Sequence, residues 1–188
     1  MVVGVLGLQG SFDKHQLILS KLGVENINIR YSNELDICDG LIIPGGESTT
    51  MTKELETSDL RESITEFSRT KPIFGTCAGM IMMAAKIDDN RVDPLRIIDM
   101  TVDRNDWGRQ IFSFTDNVEL SFDQGNLFPA TFIRAPKVKT FNNDVQSLCE
   151  YQDQTVLLTN GKHLACSFHP ELGEDTRIHE YYIKLING

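Results

Sequence analysis

A cysteine flanked two residues away on each side by glycine, where an apolar strand meets an apolar helix, leaves the backbone few choices. Residues Phe74-Gly75-Thr76-Cys77-Ala78-Gly79 have that layout, with Pro72-Ile73-Phe74 reading as the strand and Met80 to Ala84 as the helix. A sharp strand-to-helix turn crowds the residues around its apex, and Gly75 and Gly79 remove the side chains that would collide there. The Cys77 thiol would then sit at the positive end of a helix, which favours the reactive thiolate. A buried structural cysteine beside a Gly-bounded turn fits these residues equally well.

Two further segments bear on that choice. Ala165-Cys166-Ser167-Phe168-His169-Pro170-Glu171 is an apolar strand ending in a histidine and a glutamate two apart. Pro170 biases His169 towards extended backbone, and continued extension would point His169 and Glu171 to one side. Such a pair suits an imidazole that takes a proton from a thiol while a carboxylate orients its other nitrogen. Gly40-Leu41-Ile42-Ile43 reads as a short buried strand running through Pro44-Gly45-Gly46 into a helix that Ser48 is expected to cap. Two glycines let the backbone approach a ligand closely. Attack on an amide carbonyl develops an oxyanion that needs two N–H donors, assigned to Gly46 and to Ala78, the residue after the nucleophile. An ordinary Gly-rich strand-to-helix turn is the alternative for this loop taken alone.

Periodicity supplies the frame. Val2 to Leu8 reads as a strand; Ser11 is expected to cap a helix with Phe12, His15, Ile18, Leu19 and Leu22 on one face, ended by Gly23. Strands follow at Ile27 to Tyr31, Leu41 to Ile43 and Ile73 to Gly75. A capping-box pattern at Asp59 and Glu62 opens a helix with Leu60, Ile64 and Phe67 on its apolar face. From Arg96 onward short β-runs dominate, at Ile97 to Val102, Val118 to Phe122, Thr131 to Ile133, Gln154 to Leu158 and Leu164 to Phe168, before a last helix from Asp175 to Ile186. The expected fold is α/β, a mostly parallel central sheet with helices on both faces and added antiparallel strands in the second half. Catalytic groups are expected at the C-terminal ends of parallel strands. With no repeats, linkers or low-complexity segments, one domain over residues 1–188 is expected.

Composition narrows the function classes. A net charge of −9 leaves no basic stripe to neutralise phosphates, which argues against a nucleic-acid partner. No run approaches the ~18 apolar residues of a membrane-spanning helix, and Met1 to Leu8 lack the basic flank of a signal peptide. Four cysteines without a CxxC pair suggest neither zinc nor disulfides, and Cys38, Cys149 and Cys166 read as buried thiols. A cytoplasmic location is expected. With no phosphate loop and no dinucleotide GxGxxG, no cofactor is expected.

Taken together, these blocks resemble a class I (triad) glutamine amidotransferase of flavodoxin-like fold. More narrowly, the chain is similar to the glutaminase subunit of the two-component pyridoxal 5′-phosphate synthase. The likeness rests on Gly7-Leu8-Gln9-Gly10, Pro44-Gly45-Gly46-Glu47-Ser48-Thr49-Thr50-Met51, Gly75 to Gly79, Arg104-Asn105 with Gly108-Arg109-Gln110, Phe132-Ile133-Arg134-Ala135-Pro136, and Ser167 to Leu172. Lys86 to Asp93 match no block. The resemblance implies a Cys77–His169–Glu171 triad and L-glutamine contacts at Gly46, Glu47, Ser48, Arg104, Ile133 and Arg134. Both arginines have the chemistry for a carboxylate. It also implies a partner, a (β/α)₈ synthase whose dodecamer carries glutaminase subunits outside. Gln9, just past the first strand, is expected either to sense docking or simply to bond the neighbouring loop. An acceptor enzyme of another kind, or a non-catalytic subunit that keeps the fold, are the rival readings.

Overall fold

The computed structural model describes residues 1–104 and 113–188. In chain order the elements are β1 (Val2–Leu6), α1 (Phe12–Lys21), β2 (Glu25–Ile29), a 3-10 turn (Ser32–Ile37), β3 (Gly40–Ile43), α2 (Ser48–Thr57), α3 (Leu60–Thr70), β4 (Ile73–Thr76) and α4 (Ala78–Met83). They continue with β5 (Ala84–Ile87), β6 (Ile98–Asp103), β7 (Phe114–Glu119), β8 (Leu127–Phe132), β9 (Lys137–Phe141), β10 (Gln146–Tyr151), β11 (Gln154–Thr159), β12 (Leu164–Cys166), a second 3-10 turn (Pro170–Leu172) and α5 (Arg177–Asn187).

Seven strands form the main sheet in the order β10-β11-β12-β4-β3-β1-β2. The five from β12 to β2 are mutually parallel. β11 and β10 extend it antiparallel. A three-stranded sheet β5-β6-β9 and the β7–β8 hairpin stand apart. Side chains alternate across a strand, and here both sets are apolar. Leu6, Leu41, Ile43, Ile73 and Ala165 join Met51, Leu55, Ile64 and Met80 of α2, α3 and α4 on one face. Val3, Val5, Ile42, Phe74 and Cys166 meet Leu19 of α1 and Ile178 and Tyr182 of α5 on the other. Each buried Leu or Ile contributes about 1.5–3 kcal/mol over its exposed state, so neither face tolerates losing its helices. The expected α/β architecture with helices on both faces is what the chain adopts.

Several local expectations are corrected. α4 stops at Met83, because Leu95 N–H takes the Met82 carbonyl at 2.6 Å and Ile97 N–H takes that of Met83 at 2.9 Å. Ala84, expected in the helix, therefore opens β5, which pairs with β6 and whose other residues carried no expected element. α2 is capped by Glu47, not Ser48: its carboxylate accepts from the Thr49 and Thr50 N–H groups. Asp59 makes no capping bond; at φ 55° it turns the chain between α2 and α3, a conformation Asp tolerates. Ser11 likewise precedes α1 without a side-chain cap. β9 and β10 lie where no strand was expected, and β7 starts four residues before Val118, the residue at which that strand was expected to open. No helix among the described residues is long and apolar enough to cross a membrane.

The parallel order has one consequence for function. The C-terminal ends of β1, β3, β4 and β12 are neighbours, and they deliver Gln9, the Pro44–Glu47 loop, Cys77 and His169 to one edge.

Histidine burial gives the fold an acid sensitivity. Burial pushes His15, His163 and His179 down, His163 to about 4. His163 Nδ1 accepts the Ile73 N–H at 3.0 Å, a bond only the unprotonated nitrogen can make. Below about pH 6.5 the unfolded chain binds protons at these three positions that the native chain does not, so stability falls with pH. The expected loss approaches about 1.4 kcal/mol per pH unit for each histidine. Tm measured from pH 7 to pH 5 should drop steadily, and His163→Gln should flatten the slope.

Candidate active site

The elbow is built as the glycine spacing demands. Cys77 lies at φ 50° and ψ −106°, a region that L-residues occupy at a cost of about 1–3 kcal/mol. A Cβ on Gly79 would stand 2.0 Å from the Ile43 carbonyl oxygen, and one on Gly75 would stand 2.6 Å from the Gly79 carbonyl carbon. The Cys77 N–H donates to the Cys166 carbonyl at 2.8 Å, which fastens the apex to β12. Ala78 is the first residue of α4, so its N–H has no acceptor within that helix.

His169 leaves β12 with its N–H on the Thr131 carbonyl at 2.8 Å. Backbone extension does not continue beyond it. Pro170–Leu172 form a 3-10 turn, and that turn, not an extended strand, brings Glu171 Oε1 to 2.7 Å from His169 Nδ1. Both side chains are buried. Burial opposes charge on His169, but its hydrogen bonds and attraction to Cys77 and Glu171 prevail and raise it to about 10. Burial likewise opposes the Glu171 carboxylate, and the two neighbouring histidines, His15 and His169, more than offset it, so its pKa is lowered. A native imidazolium beside a carboxylate is ready to give a proton to a departing group.

The loop after β3 carries opposite charges. Burial works against the Glu47 carboxylate, but the hydroxyls and N–H groups of Thr49 and Thr50 overcome it and hold its pKa near about 2. Arg104 pairs with Glu47 and, at 3.0 Å, with Asp89. Ser48 Oγ is buried without a hydrogen-bond partner among the described residues. Gln9 Oε1 accepts the Glu47 N–H at 2.9 Å, and its amide donates to Glu54 at 2.9 Å, so it ties the first strand's loop to α2. Of the two roles expected for Gln9, the bonding one is visible.

A cavity of about 360 Å³ gathers these groups. Gly46, Glu47, Ser48, Cys77, Ala78, Arg104, Ile133, Arg134 and His169 all line it. Arg134 is another residue at positive φ, 44°. Glu171 stands behind His169, and Gln9 lies behind the loop. Asn105, Gly108, Arg109 and Gln110 fall outside the described residues. A larger open depression between Ser32 and Lys71 contains neither a cysteine nor a histidine. Sequence reasoning assigned no functional role to Asp89 or to the buried His15 and His179, whereas Gly45 was expected to let the loop approach a ligand. His15 alone gave a signal, a histidine on the apolar face of its helix.

A thiol on a strand-to-helix elbow, a His–Glu pair one strand away and a Gly-Gly loop opposite define a triad glutamine amidotransferase. The whole chain superimposes on a solved structure described as a glutamine amidotransferase, with TM-score 0.94, 38% identity and all of both chains covered. The glutaminase domain of the CTP synthase of Trypanosoma brucei has the same fold, at TM-score 0.64 and 11% identity, covering 100% of this chain and 94% of that one. Residues 5–187 match the family model of the SNO glutamine amidotransferases, and the chain belongs to that family. The pyridoxal 5′-phosphate synthase subunit PdxT of Thermosipho africanus is 45% identical over 99% of each chain. Its counterpart in Thermotoga petrophila is 43% identical over 99% of this chain and all of its own.

Gly45 offers a check on the geometry. A Cβ there would lie 2.6 Å from His169 Cε1 and 3.4 Å from Cys77 Cβ. Gly45→Ala should fold with a Tm within a few degrees of the parent yet lose at least about tenfold in glutamine hydrolysis, because the ring must move from its partner. Parent-like turnover would show that the ring has room to spare.

Proposed function

We propose that this chain is the glutaminase subunit of a pyridoxal 5′-phosphate synthase, hydrolysing L-glutamine at Cys77 and passing the ammonia to a synthase subunit. The observation that carries the reading is Cys77 on a strained elbow, in the same cavity as His169, with Glu171 hydrogen-bonded to His169 from behind. The Cys77 thiolate attacks the side-chain amide carbon, and the oxyanion takes N–H donors from Gly46 and Ala78. His169 gives its proton to the departing nitrogen, ammonia leaves and a glutamyl thioester remains. His169 then takes a proton from water, which attacks the thioester and releases glutamate. Glu171 keeps Nδ1 protonated and stabilises the imidazolium. Arg104 and Arg134 hold the glutamine carboxylate, and Glu47, Ser48 and the Ile133 backbone complete its site.

Ammonia released into water at neutral pH is mostly protonated and no longer nucleophilic, so the product must pass directly to the acceptor. The partner is the synthase subunit, assembled as a dodecamer with glutaminase subunits on its outside, in the cytoplasm. Full-length identity of 43–45% to two PdxT chains supports this partner over other acceptor enzymes.

Cys77→Ser should abolish glutamate release in the presence of synthase while leaving Tm nearly unchanged, since the two side chains share a shape. His169→Asn should be nearly as inactive, and Glu171→Gln less so, because an amide still holds the ring. Added ammonium should restore pyridoxal phosphate formation in all three. Steady glutamate production by Cys77→Ser would overturn the assignment.

The partner is also expected to complete the oxyanion hole. Loss of one donor costs about 10²–10³ in rate, so a poorly assembled hole leaves the free subunit nearly silent. Glutaminase activity should rise at least about tenfold on adding synthase, and Gln9→Ala, which frees the Glu47 N–H, should blunt that rise. A free subunit as fast as the complex would remove the activation while leaving the glutaminase chemistry in place.

A further inference from the structure

Behind the triad lies a second pair of histidines that the chemistry above does not use. His15 comes from α1 and His179 from α5, and both are fully buried. His15 Nε2 stands 3.5 Å from Glu171 Oε2 and 3.2 Å from Thr76 Oγ1. On the other side of its ring, His15 Nδ1 is 2.9 Å from His179 Nε2. Glu171 spends Oε1 on His169, and its buried Oε2 makes no hydrogen bond among the described residues, His15 Nε2 at 3.5 Å facing it across an ion-pair distance. We propose that His15 is a positioning residue for glutamine hydrolysis, holding the free oxygen of Glu171 through Nε2–H, with His179 fixing its tautomer.

The hydrogen-bond inventory favours one assignment of protons. Burial keeps both imidazoles neutral, so each ring has one N–H and one bare nitrogen. Were His15 protonated at Nδ1, its bare Nε2 would face the carboxylate, and His179 would bury an N–H at Nδ1, which has no partner among the described residues. With the proton on Nε2, His15 aims a donor at Glu171 and Thr76. His179 Nε2–H then donates to His15 Nδ1, and the nitrogen left over at His179 is a bare lone pair. An unpaired acceptor is less costly to bury than an unpaired donor. The separation of 3.5 Å makes the contact to Oε2 a long one, fit for orienting a charge without taking its proton. Thr76 immediately precedes the nucleophile, so one imidazole bears on both the orienting carboxylate and the elbow.

This inference rests on the reading of Glu171 as the orienter of His169, and the test separates the two. Glutamine hydrolysis would be followed in the complex with synthase for His15→Gln, His15→Asn and His15→Leu, alone and combined with Glu171→Gln. A Gln amide N–H reaches the place of Nε2–H, whereas an Asn amide reaches only that of Nδ1. His15→Asn and His15→Leu should lower kcat at least about tenfold, with the KM for glutamine within about twofold and synthase binding retained. His15→Gln should recover most of that loss. In the Glu171→Gln background, His15→Asn should cost little more. Equal rates for the Gln and Asn variants, or losses that simply multiply in the double variant, would overturn the role of His15 and leave that of Glu171 standing. An unaltered kcat for Glu171→Gln alone would remove the orienter itself, and this proposal with it.

Discussion

Everything at the catalytic edge depends on one close approach, that of the Gly79 backbone to the carbonyl of Ile43. It lets α4 start directly over β3, which forces the residue at the apex into the positive-φ conformation seen for Cys77. The strain is held by the surroundings. The Cys77 N–H is tied to Cys166 on one flank, and the Met-rich helix it enters is buried on all sides. A thiol presented this way cannot relax without dismantling the joint between three strands.

The charged groups are layered by distance from the thiol. Nearest is the His169–Glu171 pair, shielded from water and polarised towards the imidazolium. Farther out, Glu47, Arg104 and Asp89 form a half-exposed chain in which Glu47 also caps α2. Because the same carboxylate ends a helix and neutralises an arginine, the loop that carries Gly45 and Gly46 is anchored at its far end. Gln9 anchors it from the side of β1.

Much of this was legible in the chain. Gly75 and Gly79 could be read because steric exclusion acts on neighbouring residues, and the apolar runs could be read because both faces of a central strand are buried. Gly46, Cys77 and His169 fall together because strand ends in a parallel sheet share an edge. What escaped depends on contacts distant in sequence. The helix after Cys77 looked longer because its own residues favour helix, whereas Leu95 and Ile97 capture its last carbonyls. Glu47 displaced Ser48 as the cap because its longer side chain reaches two N–H groups. The His169–Glu171 contact is made by a tight turn, which a Pro between them permits as readily as extension. Asp89 gave no local signal, since its importance comes from Arg104 fifteen residues on.

The position of β12 in the sheet has a consequence for how the enzyme comes into being. It lies between β4 and β11, pairing Leu164 with Phe74, yet it is the last strand of the chain to be made. A growing polypeptide can lay down β1 to β4 and the cysteine long before the imidazole exists. Parallel pairing across ninety residues closes slowly, because the entropy of the intervening loop is lost before the contacts form. Until then the flank of β4 is an open edge and no imidazole stands beside the thiol. The Cys77–His169 juxtaposition is thus the last feature of this edge to form, completed only when β12 has slotted between β4 and β11.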